Sequence, residues 1–261
     1  MPDTAKGDQE AIMAILYQQH AAEYKALCLQ SYNLAKWKVE DAVNHAALDK
    51  EDLPLAVVTD LDETALDNSK NEVYQYQHHK TYNPVQFNQW CRLEMADTVL
   101  GSVAFFNCVD QLKDRKGRKI DIYYISNRSD SVLGSTINNM KKLGFPQLDS
   151  SHFKLSKAGS SPSKEARRQE VLSDHKIVVL LGDNLIDLDA AFDGCQQSPD
   201  DRTSQVYSLR NRWGDLYIVF PNAIYGDWEL YLYYDYMSKH NCRYPPFSEE
   251  KIERDGQLKG Y

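Results

Sequence analysis

Leu53-Pro54-Leu55-Ala56-Val57-Val58-Thr59-Asp60-Leu61-Asp62-Glu63-Thr64 opens as an unbroken apolar run and closes in acid. Continuous apolarity over so few residues predicts a short strand buried on both faces, as in the centre of a parallel sheet. Two further runs repeat the design. Ile120 to Ile125 leads into Ser126-Asn127-Arg128, and Lys176 to Leu181 leads into Gly182-Asp183-Asn184-Leu185-Ile186-Asp187. A fourth run, Leu216 to Phe220, follows. Between the second and third runs, Val132, Leu133, Ile137, Met140 and Leu143 mark one face of a helix over 130–143, and a second helix is expected over 163–174. Strand, helix, strand at this spacing predicts parallel strands joined by crossover helices, an α/β fold with a Rossmann-like sheet.

Outward from these strands the organisation is coarser. Gln9 to about Asp49 carries apolar residues at three- and four-residue steps, including Ile12, Ile15, Leu16, Leu34 and Trp37, and predicts helices. Residues 67–99 separate the first two strands by more than a crossover needs, and read as an inserted cap. The expected division is residues 1–52 as N-terminal helices belonging to a mainly helical subdomain, 53–66 and 100–220 as the α/β core, 67–99 as the cap insertion, and 221–261 as a C-terminal aromatic segment. Residues 150–163, rich in serine and glycine, are expected to form a mobile loop.

Composition excludes several function classes. The chain has 261 residues, is 42% hydrophobic and 26% charged, and carries a net charge of −8, which fits a folded globular protein and not a disordered one. No basic cluster suits a nucleic-acid polymer. The longest apolar run, Ala11 to Tyr17, is far too short to span a bilayer. Five cysteines, with no CxxC pair, argue against a thiolate metal site, and the seven histidines show no ligand spacing. Met1 to Lys6 lacks the marks of a signal peptide, so the chain is expected to be either cytoplasmic or a mature form.

In an open parallel sheet, ligands bind outside the carboxyl ends of the strands. Asp60, Asp62, Asp183 and Asp187 are therefore expected at one rim, where two unit charges at 4 Å repel by about 4 kcal/mol at an effective dielectric near 20. Protonation would relieve the crowding. A hard divalent cation would do so too, and Mg²⁺, which takes oxygen ligands and phosphate together, is the favoured answer. Taken alone, Asp60 to Thr64 reads equally well as an acidic turn or a capped helix start. An EF-hand fails, because Ala65 stands at the turn glycine and Asn71 at the bidentate glutamate. GxxxxGK[ST], GxGxxG and HExxH are all missing. Lys164, in the first turn of its expected helix, is unfavourable toward the helix dipole unless an anion binds there; an ordinary solvated lysine is the alternative.

Asp60-Leu-Asp-Glu-Thr64, Ser126-Asn-Arg128, Lys164 and Gly182-Asp-Asn-Leu-Ile-Asp187 resemble, in order, the four motifs of the haloacid dehalogenase (HAD) superfamily. More narrowly the chain resembles class C acid phosphatases of the bacterial outer-membrane lipoprotein e (P4) type, over about Glu23 to Trp228. The resemblance implies a Mg²⁺-dependent phosphomonoesterase with Asp60 as nucleophile and Asp62 as general acid and base. It implies metal ligation by Asp60, Asp62 (through its backbone carbonyl), Asp183 and Asp187. Thr64, Ser126, Asn127 and Lys164 are expected to serve the phosphate, with Thr64 orienting the first loop. Phe87 and Tyr225 are expected to hold the leaving group, including the base of nucleoside 5′-monophosphates.

The sequence departs from the family where Phe87 replaces a common tryptophan and where Leu188 follows Asp187. The loop before Lys164 is also longer, leaving Lys154 and Lys157 as substitutes for it. Trp90 is expected to pack the cap, and Tyr231, Tyr233, Tyr234 and Tyr236 to pack on the core or a second subunit, leaving a homodimer open. By resemblance the protein belongs at the bacterial cell envelope, with a lipid anchor outside the given chain. Rival functions are a catalytically silent nucleotide- or haem-binding envelope protein, and a phosphotransferase to an acceptor alcohol.

Overall fold

The structure, a computed structural model, describes residues 7–45, 53–195, 197–245, 250 and 256–258. Expectations about Met1 to Lys6, the helical run near Asp49 and the last part of the tail lie outside the described residues.

Two helices lead, α1 (Gly7–His20) and α2 (Ala22–His45). They are followed by β1 (Leu55–Thr59), a cap formed by β2 (Leu66–Asp67), α3 (Ser69–Gln77), α4 (Pro84–Leu93) and β3 (Asp97–Thr98), and then α5 (Ser102–Gln111) and β4 (Asp121–Ser129). The core continues through α6 (Leu133–Leu143), β5 (Phe153–Ser156), α7 (Glu165–Leu172), β6 (Lys176–Gly182), α8 (Pro199–Ser208) and β7 (Tyr217–Val219). Two short helices, α9 (Asp227–Leu230) and α10 (Tyr234–Lys239), follow.

The main sheet has the order β5-β4-β1-β6-β7, every pair parallel, which is the α/β architecture expected. β1 lies at its centre and is buried throughout. Its side chains alternate between two cores. Leu55 and Val57 join the larger cluster with Tyr32, Phe106 and Ile122, whereas Ala56 and Val58 join a smaller one with Val171 and Leu180. A strand with two apolar partners cannot afford a polar face, which is why its sequence does not alternate.

Two features differ from expectation, and a third carried no expectation. α2 buries Tyr24, Cys28, Tyr32, Ala35 and Val39, one helical face at steps of three and four. That face packs on α5, β6 and β7, so α2 belongs to the core, while α1 packs on α3 of the cap. A boundary at residue 52 therefore separates α2 from the body it stabilises. Residues 150–163 are not simply a loop, because Phe153–Ser156 forms edge strand β5 with Phe153 and Leu155 buried. Finally, Cys195 and Cys242 form a disulfide that ties the tail to the segment after β6.

The aromatic tail packs on its own chain. Tyr231 donates to the carbonyls of Phe192 (3.2 Å) and Gly194 (2.6 Å) and lies under the Arg202 guanidinium, 3.9 Å from its ring centroid.

Candidate active site

The site begins where β1 ends. The Asp60 amide donates to the Leu181 carbonyl at 2.9 Å, which carries the parallel pairing one residue past β1 and brings the loop after β1 beside the loop after β6. There Asp60, Asp183 and Asp187 each present a carboxylate oxygen within 4.8 Å of the others. Gly182 makes this approach feasible, since a Cβ built on it would stand 2.4 Å from Cβ of Asp187. The Asp187 carboxylate also accepts from the Asn184 amide at 3.0 Å, and Arg168 donates to the Ile186 and Asp187 carbonyls, both at 2.8 Å.

Lys164 is the counter-ion. Its ammonium is buried, paired with Asp60 and, at 2.6 Å, with Asp187. Lys154 instead pairs with Glu170 at 2.8 Å, and Lys157 sits exposed on the cleft rim. The long loop before Lys164 therefore does not displace it.

Three carboxylates against one ammonium leave two negative charges uncompensated when all are ionised. Burial drives the Asp60 carboxyl upward, Lys164 opposes this, and Asp187 and Asp62 add to it, with a net rise to about 7. Asp183 is held well above the carboxylate range by burial and by Asp187 and Asp60, against Asn222 and Lys164. Burial lowers Lys164, but Asp187 and Asp60 outweigh it and hold the ammonium charged. An all-oxygen donor set with two charges to spare fits one hard divalent cation held by Asp60, Asp183 and Asp187.

The remaining candidates separate by what they touch. The Asp62 carboxylate stands outside the metal group, gripped by Arg128 at 2.7 Å and Asn68 at 2.7 Å. Thr64, fully buried, donates to Asp183 at 3.3 Å and accepts from Tyr32 at 2.5 Å through its carbonyl. Its hydroxyl is thus turned to a carboxylate of the cluster from beneath, not to the open cleft. Ser126 does line the cleft, with its hydroxyl 3.3 Å from Asp62. Asn127 borders it too, but its side chain is engaged with the Pro162 carbonyl at 2.9 Å and Arg167 at 2.6 Å. Phe87 from α4 and Tyr225 after β7 face the same cleft of about 1300 Å³. Trp90 is buried and donates to Asn68 at 2.8 Å, a packing role.

Sequence reasoning missed Arg128, Asn68 and Asn222. Arg128 carried a readable signal: it lies two residues beyond Ser126 in one strand, and alternate residues share a face. Asn222, donating to Asp183 at 2.8 Å, carried none.

A model of the HAD superfamily, subfamily IIIB (acid phosphatase), matches residues 3–228. Among solved structures, the class C acid phosphatase from Bacillus anthracis is 36% identical, with 97% of this chain and 98% of that one covered at a TM-score of 0.83. A crystal structure of class C acid phosphatase from Bacillus anthracis with tungstate bound is 34% identical, with the same coverage and a TM-score of 0.85. The resemblance drawn from the four motifs agrees with all three.

Proposed function

The chain belongs to the acid phosphatases of HAD subfamily IIIB and is a phosphomonoesterase, and we propose that it acts through Asp60 as nucleophile, with Mg²⁺ as cofactor, on small phosphomonoesters that include nucleoside 5′-monophosphates. The observation carrying this reading is the convergence of Asp60, Asp183, Asp187 and Lys164 at the carboxyl end of the sheet. Asp60, Asp183 and Asp187 would hold the ion, with the Asp62 carbonyl as the family pattern implies. When bound, a divalent ion supplies charge neutralisation and polarises phosphoryl oxygens.

The chain's own residues account for the rest. A carboxylate oxygen of Asp60 forms a bond to phosphorus as the bond from phosphorus to the leaving oxygen breaks, and Asp62 gives that oxygen its proton. Asp62 then takes a proton from water, whose oxygen attacks the aspartyl phosphate, releasing inorganic phosphate and restoring Asp60. Lys164 and Ser126, fixed before substrate arrives, offset the charge on the transferring group. Phe87 and Tyr225 offer aromatic surface to a leaving group. Export to the cell envelope is supported by the Cys195–Cys242 disulfide, since such bonds persist in oxidising compartments; among the described residues no helix is long and apolar enough to cross a membrane.

The test is a panel of nucleoside monophosphates, sugar phosphates and aryl phosphates, each assayed at acidic pH with EDTA and after Mg²⁺ is restored. Turnover that vanishes in EDTA and returns with Mg²⁺, highest on nucleotides, is expected. Undiminished turnover in EDTA would remove the metal from the reading, and equal rates on all three classes would remove the nucleotide preference.

A further inference from the structure

Arg128 is the most heavily engaged cation of the site, yet the chemistry above gives it no task. It is 2% exposed. Its Nη2 donates to Oδ1 of Asp62 at 2.7 Å, and its Nε lies 3.0 Å from Oδ1 and 3.2 Å from Oδ2. Nη1 is held by Thr136 at 3.2 Å, so the guanidinium plane is fixed from behind. Phe87 lies 5.8 Å from it, which places the same group at the border of the leaving-group pocket.

Asn68, fully buried, completes the grip. Its amide nitrogen donates to Oδ1 of Asp62 at 2.7 Å and to Glu63 at 3.2 Å, while its oxygen accepts from Trp90 at 2.8 Å and Arg128 at 3.3 Å. The short bonds to Asp62 thus all fall on Oδ1. Oδ2 has only the longer contacts to Ser126 (3.3 Å) and Arg128 (3.2 Å) and is the oxygen on the Ser126 side.

We propose that Arg128, braced by Asn68, is a positioning residue for Asp62: it saturates Oδ1 and leaves Oδ2 as the atom that carries the transferable proton to the leaving oxygen. A planar fork is what this task requires, because one ammonium cannot fix the tilt of a carboxylate. The inference rests on Asp62 being the acid of the proposed reaction.

Leaving-group dependence separates positioning from mere structural support. An alkoxide needs a proton as it departs, whereas p-nitrophenolate does not, so a misplaced acid slows the transfer to Asp60, the step that kcat/KM reads, only for the first kind of ester; hydrolysis of the shared aspartyl phosphate affects kcat for both. With purified Mg²⁺-loaded enzyme, Arg128→Gln is expected to lower kcat/KM for glycerol phosphate roughly 100-fold, as loss of general-acid catalysis does. For p-nitrophenyl phosphate the expected loss of kcat/KM is less than about 10-fold, and any larger fall in its kcat should be matched by a fall in KM, since it reports the shared hydrolysis step. Equal losses on both esters would overturn the proposal. Where Arg128→Gln gives no folded protein, Arg128→Lys keeps a cation beside Asp62 without the fork and is read by the same ratio. Asp62→Asn isolates the underlying reading: an equal loss on both esters in that variant overturns Asp62 as the acid, and with it the positioning role. If Asp62→Asn is selective and Arg128→Gln is not, only the positioning role fails. In the double variant, Arg128→Gln should add no further selectivity to Asp62→Asn; additive selectivity would overturn action through Asp62.

Discussion

The two ends of the sheet use the same residue type in opposite ways. At the amino ends of the strands, Asp114 lies in the turn between α5 and β4 and accepts from the amides of Lys116 and Arg118, both at 2.9 Å, and from the Arg118 guanidinium at 2.6 Å. Burial alone would raise its carboxyl, but these donors outweigh burial and hold it below the usual carboxylate range. At the same end of the sheet, His175 bridges Asp174 (2.6 Å) and Asp121 (2.9 Å), joining the starts of β6 and β4. At the carboxyl ends, Asp60, Asp183 and Asp187 crowd one another, and the first two are pushed upward. One end satisfies its carboxylates and gains stability. The other leaves charge unbalanced, and that imbalance is what a cation and a phosphoryl group can exploit.

The sharpest test of this contrast lies at Asp60. Asp60→Asn should reduce turnover of p-nitrophenyl phosphate roughly 10⁴-fold or more, while circular dichroism and the unfolding midpoint change little. A variant with near-normal turnover would end the assignment of Asp60 as nucleophile. Asp183→Asn should likewise abolish Mg²⁺-dependent activity, yet in EDTA it should raise stability by about 0.5–2 kcal/mol, because it removes one of the crowded charges. For a domain of this size that is a rise of several degrees in calorimetry; a lowered midpoint would mean that the carboxyl rim is not strained.

Gly182→Ala should show both kinds of damage. The added Cβ would meet Asp187 Cβ at 2.4 Å and its carboxylate oxygen at 2.7 Å, so the loop after β6 must move. A loss of about 1–3 kcal/mol is expected from such overpacking, together with weakened Mg²⁺ binding by isothermal titration. Retention of full Mg²⁺ affinity would show that the approach of Asp187 is dispensable.

Asp114→Asn should give the smallest effect and leave activity intact. Its folded-state carboxyl titrates below its unfolded value near 3.9, so its contribution is fully present above that value and is lost as pH falls through the lowered folded one. Urea midpoints of the wild type should therefore fall more between neutral and strongly acidic pH than those of the variant. Parallel pH profiles would show that Asp114 contributes nothing through its charge.

Much of this contrast was legible in the chain. Each of the three inner strands announces itself as an apolar run, and each run ends in residues fit for polar chemistry, so Asp60, Ser126 and Asp183 could be placed at one rim from topology alone. Lys164 was readable as a cation in the wrong place on its helix. β5 was not readable with the same ease, because only Phe153 and Leu155 alternate and the serines and glycine that follow dominate the composition. α2 showed its apolar face plainly, but periodicity does not say against which body a helix lies.

Local pattern determined which segments become strands and helices, and strand topology brought the ends of β1, β4 and β6 together, since burying apolar runs side by side leaves few arrangements. Whether Asp62 joins the acidic cluster or turns to Arg128, whether Thr64 faces the cleft or Asp183, and which cysteines of an odd set meet were decided only by tertiary structure. Those outcomes depend on side-chain directions and on ångström-scale distances between residues far apart in sequence, and no local preference of the chain encodes such distances.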